Sequence, residues 1–120
     1  MENKQAIKLV DKILVNLDQT GINTETLVDD IKELRTYALE EQVPLVVKVL
    51  RYTYEHIEEN NTFLIPILND EPLEEVDTIN ENENDTPVES LKYLIALTRN
   101  LKNKGNISDL KEYKELLMNY

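Results

Sequence analysis

The chain has 120 residues, 41% of them hydrophobic, with 24 acids against 13 bases and no cysteine. This length fits one domain over residues 1–120, and a chain without cysteine can form neither disulfides nor thiolate metal sites. The net charge of −11 argues against binding to nucleic acids or anionic membranes, whose phosphates repel a negative surface.

The N-terminal residues predict a helix and no targeting signal. Residues 2–19 mix charges with apolar side chains, so the continuous apolar run of a signal peptide is missing. No run is long enough to span a membrane either, and we therefore expect a soluble cytoplasmic protein. The apolar residues of this first helix recur at helical spacing: Ala6, Val10, Ile13, Leu14 and Leu17. Gly21 follows as the expected C-terminal cap.

A second and a third helix follow. Asn23 or Thr24 is expected to cap the second helix, whose apolar face consists of Leu27, Val28, Ile31, Leu34, Ala38 and Leu39. The third helix lies within residues 41–60, and Pro44 suits its first turn. Its apolar residues cover so wide an arc that we expect it to be central. The valines leave a strand over residues 45–49 as an alternative.

The next apolar stretch, residues 62–68, is interrupted by Pro66, which predicts a kinked extension or a short turn packed on the core. A fourth helix is expected to start near residue 87, because Thr86, Pro87 and Glu89 have the spacing of a capping box. We expect Gly105 to end this helix and Ser108 to cap a fifth.

Together these elements predict an all-α fold, a single-domain bundle of about five helices. Two antiparallel helical hairpins would flank the third helix. Residues 8–37 and 92–120 share seven identities, including Gly21 with Gly105. This similarity is consistent with a duplicated hairpin, or with two hairpins that share only capping residues and helical composition.

The charge excess comes from one part of the chain. Residues 52–91 contain twelve acids and neither lysine nor arginine. Eight of these acids lie within residues 69–86, called the acidic segment below: Asp70, Glu71, Glu74, Glu75, Asp77, Glu81, Glu83 and Asp85. We predict that these eight residues bind a basic protein partner. The alternative is a solvated connector between helices.

Catalytic motifs are absent from the sequence. His56 is the sole histidine, and no glycine-rich phosphate loop accompanies it. We therefore predict a protein that is not an enzyme and has no cofactor, catalytic residue or metal site. A weak metal-binding protein or an enzyme that uses His56 with Glu55 or Glu59 is the alternative.

The leading hypothesis is a non-enzymatic binding or adaptor module with the acidic segment as its docking site. A second hypothesis is a structural homo-oligomer held together by apolar helix faces. Residues 92–114 carry more bases than acids, so they could pair with the acidic segment of the same chain or of a second copy. Pairing between copies would give a homodimer.

Overall fold

The computed structural model describes residues 1–65 and 87–120. In these two ranges the chain forms helices and no strand, so the all-α prediction is confirmed and residues 45–49 are helical. The helices are α1 (Lys4–Thr20), α2 (Thr24–Glu40), α3 (Pro44–Asn60), α4 (Pro87–Arg99) and α5 (Lys104–Met118).

The helices pack as a ring in which each one packs mainly on two neighbours. Helix α2 packs between α1 and α3, and α5 packs between α3 and α4. Contacts between α4 and α1 close the ring. Helix α3 therefore connects the hairpin of α1 and α2 to the hairpin of α4 and α5, and the two hairpins also contact each other through α1 and α4. Buried side chains from all five helices form one apolar cluster.

Helix α1 is capped at both ends, by Asn3 at its start and by the predicted Gly21 at its end. The side chain of Asn3 accepts hydrogen bonds from the N–H groups of Gln5 and Ala6 at 2.7 and 3.2 Å. At the other end Gly21 has φ 73° and donates its N–H to the carbonyl of Leu17. This left-handed φ strains any residue with a Cβ, so glycine ends the helix here.

The third helix begins at Pro44, as expected, and its apolar side chains cover a wide arc. Val46, Val49, Leu50 and Ile57 are buried on it, and four further apolar residues are partly buried: Leu45, Val47, Tyr52 and Tyr54. One expectation for α2 is wrong, because Leu39 is 51% exposed. Leu39 adjoins the buried Ala38, and one residue along a helix rotates a side chain by about 100°.

The turn between α4 and α5 differs from its prediction. Helix α4 ends at Arg99, before Gly105, and Asn103 caps α5 by accepting from the N–H groups of Gly105 and Asn106 at 2.8 and 3.2 Å. Gly105 therefore lies in the first turn of α5, and Ser108 is exposed within that helix. Because Gly21 ends a helix and Gly105 starts one, the two glycines do not occupy equivalent positions. The match between Gly21 and Gly105 therefore does not support a duplicated hairpin.

Candidate functional site at the base of the acidic segment

All eight predicted partner-binding residues, Asp70 to Asp85, lie outside the described residues, as do Thr86 and Pro66. The structure does describe the positions on either side of them. On the N-terminal side the described chain ends at Ile65, and on the C-terminal side it resumes with Pro87, the first residue of α4. The geometry of these two positions shows how the fold holds the segment's flanks.

A buried hydrogen bond joins the two flanks. The hydroxyl of Ser90, in the first turn of α4, donates to the carbonyl oxygen of Ile65 at 2.7 Å. The hydroxyl of Tyr113, from α5, lies 3.3 Å from the Ser90 hydroxyl and donates to the Ser90 carbonyl at 3.3 Å. Ser90 and Tyr113 are both buried. The last described residue before the acidic segment and the first turn of α4 after it therefore lie within hydrogen-bonding distance of each other.

The N-terminal flank is fixed by its own side chains. Asn61 adopts φ 58° and donates its N–H to the carbonyl of Ile57, which ends α3. The chain then turns so that Phe63 and Ile65 are 1% and 5% exposed. The ring of Phe63 lies 6.4 Å from the ring of Tyr113, centroid to centroid. The predicted packing of this stretch on the core holds as far as Ile65.

His56 contacts the turn formed by Phe63 and Leu64. Its side chain is buried, and its Nε2 accepts a hydrogen bond from the backbone N–H of Leu64 at 3.0 Å. Its ring lies 5.5 Å from Phe63 and 4.7 Å from Tyr120. Burial lowers the pKa of His56, and the negative charge of Glu59 opposes this effect only in part. His56 is thus a neutral residue with its proton on Nδ1.

The contacts of His56 and Glu55 bear on the alternative that these residues bind a metal ion. The lone pair of Nε2 already accepts the Leu64 N–H, so it is not free to bind an ion. Glu55 pairs with Arg51 at 3.1 Å. Within residues 1–65 and 87–120, no three His, Asp or Glu side chains are grouped so that they could hold a metal ion.

Sequence reasoning did not identify Ser90 or Tyr113 as partners of Ile65. A serine in the first turn of a helix usually caps it or faces solvent. The available signal was that Ser90 immediately precedes Leu91 and lies four residues before Leu94, on the apolar face of α4. A hydroxyl on that face must be buried, and a buried hydroxyl requires a partner.

A basic cleft lies between α3 and α5. It has a volume of about 360 Å³ and is lined by Pro44, Leu45, Lys48, Lys111, Lys114 and Glu115. None of its three lysines forms an ion pair with another side chain in the described ranges, although several lysines elsewhere do. This cleft holds two of the bases that the sequence placed in residues 92–114.

A larger cleft, of about 760 Å³, lies beside the start of α1. The amino group of Met1 donates to the carbonyls of Thr98 and Arg99 at 2.9 and 3.2 Å. Glu41 accepts from the N–H groups of Glu2 and Asn3, each at 3.0 Å. The polar groups of this cleft are therefore engaged in holding α1, α4 and the α2–α3 turn together.

Comparison with known proteins gives no relative: no family model, no curated protein and no solved structure matches the chain. Among the helices that the structure describes, none has the length and the apolar character needed to cross a membrane.

Proposed function

We propose that this protein is a non-enzymatic cytoplasmic binding or adaptor module whose acidic segment docks a basic protein partner. The observation that supports the proposal is the hydrogen bond between Ser90 and Ile65, which holds both flanks of an eight-acid stretch at one place on the bundle. The 99 residues on either side of the stretch, 1–65 and 87–120, carry 16 acids and 13 bases, so the stretch supplies most of the net charge.

Electrostatics gives this arrangement a function in association. Eight like charges on one short stretch attract a basic surface over distances of about 8 Å at physiological salt. Such attraction raises the rate of encounter more than the final affinity. Joining the two flanks closes the chain between them into a loop, and loop closure lowers the entropy that binding would otherwise remove.

The test compares two variants that change the net charge equally. One changes Asp70, Glu71, Glu74 and Glu75 to Asn or Gln. The control changes four exposed acids of α2, Glu25, Asp29, Glu33 and Glu40, in the same way. Each protein is used for affinity capture from lysate at low and high salt. We expect a partner that the wild type and the control retain and the segment variant loses. Equal capture by all three proteins would contradict the proposal.

Self-association is a second candidate, favoured by the basic cleft between α3 and α5. Lys48, Lys111 and Lys114 lie in that cleft without an acidic partner in the described part of the chain. The acidic segment of a second copy has the complementary charge, and reciprocal pairing would give a symmetric dimer.

Sedimentation at several concentrations tests this candidate. We expect a salt-sensitive dimer that is lost when the three cleft lysines become Gln. The control changes the exposed lysines Lys4, Lys8 and Lys104. A monomer at every concentration, or equal loss in the control, would rule the dimer out.

A further inference from the structure

We propose that the basic cleft between α3 and α5 binds a small phosphorylated molecule. The cleft is lined by Lys48 from α3, by Lys111 and Lys114 from α5, and by the apolar residues Pro44 and Leu45. Its volume of about 360 Å³ lies within the range of about 300–1,000 Å³ that is typical of small-molecule sites. This inference goes beyond the proposed function and uses no property of the acidic segment.

Unpaired lysines are concentrated in this cleft although acids are plentiful in the chain. All thirteen lysines and arginines lie in residues 1–65 and 87–120, and six of them form ion pairs within these ranges. Of the other seven, three line the cleft. Lys111 and Lys114 also lie three residues apart on one helix, a spacing at which like charges destabilise the helix. An anionic ligand would relieve this repulsion.

The chemistry of lysine favours phosphate over carboxylate in this cleft. An ammonium group binds phosphate as a compact point charge, whereas two-point recognition of a carboxylate is the property of the planar arginine side chain. A phosphate monoester carries about 1.5–2 negative charges near pH 7, and a carboxylate carries one. Three cations opposed by one acid, Glu115, therefore attract a phosphate more strongly than a carboxylate.

The rest of the protein restricts the ligand to a small molecule. The net charge of the chain is −11, so a long polyanion such as RNA is repelled where it extends beyond the cleft. A small anion interacts mainly with charges within about 8 Å at physiological salt. The apolar wall formed by Pro44 and Leu45 lowers the dielectric beside the lysines, and this strengthens their attraction for an anion.

Titration of the ¹⁵N-labelled protein with inorganic pyrophosphate, followed by NMR, tests this inference. Succinate, which carries two carboxylates and no phosphate, is titrated in parallel at equal ionic strength. The cleft variant changes Lys48, Lys111 and Lys114 to Gln together. The control variant makes the same change at three exposed lysines that lie outside the cleft and form no ion pair in the described part of the chain: Lys4, Lys8 and Lys104.

We expect pyrophosphate to shift the amide signals of residues 45–48 and 111–115 in the wild type. Its Kd should be about threefold lower than that of succinate, as one further exposed charge contact would give. The cleft variant should bind pyrophosphate more than about tenfold more weakly, because three such contacts are lost, whereas the control should stay within about twofold of the wild type. Glu115→Gln should bind it more tightly, since it removes the acid from the cleft.

Signal shifts spread evenly over the chain, or equal weakening in the cleft variant and the control, would overturn the site, because the anion would then bind to lysines in general. Equal Kd values for pyrophosphate and succinate would overturn the preference for phosphate. A short single-stranded RNA that binds the cleft more tightly than pyrophosphate would overturn the restriction to small molecules. A dimer that persists in excess pyrophosphate and is abolished in the cleft variant would overturn the proposal as well, because a second copy would then occupy the cleft.

Discussion

The side chain of Ser90 and the backbone carbonyl of Ile65 are joined by a 2.7 Å hydrogen bond that links the start of α4 to the end of the turn after α3. Both groups are buried, and Tyr113 supplies a second hydroxyl beside them. A buried polar group that loses its partner also loses its compensation for leaving water. This small network therefore stabilises the flanks of the acidic segment.

Removal of the Ser90 hydroxyl tests this role. Ser90→Ala should lower the free energy of unfolding by about 1–3 kcal/mol, because the Ile65 carbonyl would remain buried without its donor. Tyr113→Phe should cost about 1 kcal/mol, since Ser90 keeps its bond to Ile65. Urea unfolding of the two single variants and the double variant measures both effects. Strictly additive losses would show that the three groups do not act as one network.

The protonation of His56 predicts a pH dependence of stability. Burial places the pKa of His56 in the folded protein below its ordinary value of about 6.5, so the unfolded chain takes up a proton first as the pH falls. The stability contributed by neutral His56 is thus fully present above about pH 6.5 and is lost as the pH falls towards the folded pKa. Protonated Nε2 would also face the Leu64 N–H as a second donor.

The matched variant is His56→Gln, because a glutamine oxygen can accept from Leu64 without titrating. It should be less stable than the wild type at neutral pH, since the ring contacts are lost. Its stability should also change less between about pH 6.5 and 5. Thermal unfolding across this range compares the two proteins. Parallel pH profiles would show that His56 does not titrate in this window.

The cap of α5 gives a third prediction. Asn103→Ala should cost about 1 kcal/mol, because two N–H groups of the first turn lose their acceptor. Ser108→Ala should change the free energy of unfolding by less than about 0.5 kcal/mol, since this serine is exposed inside the helix. Chemical denaturation of both variants decides between the two caps. A larger loss from Ser108→Ala would support the cap expected from the sequence.

Phe63 and Leu64, adjacent in the turn after α3, should contribute very differently to the free energy of unfolding. Phe63 is 1% exposed and contacts the rings of His56 and Tyr113, so Phe63→Ala should cost about 3–5 kcal/mol. Leu64 is 46% exposed, and Leu64→Ala should cost less than about 1 kcal/mol. Urea midpoints measured under identical conditions make the comparison. Similar losses at the two positions would mean that Leu64 is part of the core.

The sequence predicted the positions of the helices well because apolar spacing marks each of them, although Asn23 starts α2 without a side-chain cap hydrogen bond. Pro44 and Pro87 each begin a helix, and Gly21 ends one, as local backbone chemistry requires. The turn between α4 and α5 was harder to predict because Asn103, Gly105 and Ser108 lie close together, and each is a residue type that often ends or caps a helix. Asn103 was overlooked, although its short side chain can accept two N–H bonds.

The candidate site was less predictable because its contacts join distant parts of the chain. The sequence did not predict that His56 is buried. The turn at Phe63 and the ring of Tyr120 cover it, and neither contact leaves a periodic signal in the sequence. The pairing of Ser90 with Ile65 likewise depends on how α4 meets the end of α3.

The ring of helices has a consequence for the continuity of the chain. Helices α4 and α5 pack on α1 and α3 through buried side chains, while the backbone connects them to α3 only through the residues between 65 and 87. These noncovalent contacts, and not the covalent connection, hold the two parts together. A chain cut once within the acidic segment should therefore remain one particle, and fragments 1–65 and 87–120 mixed in solution should reassemble by complementation.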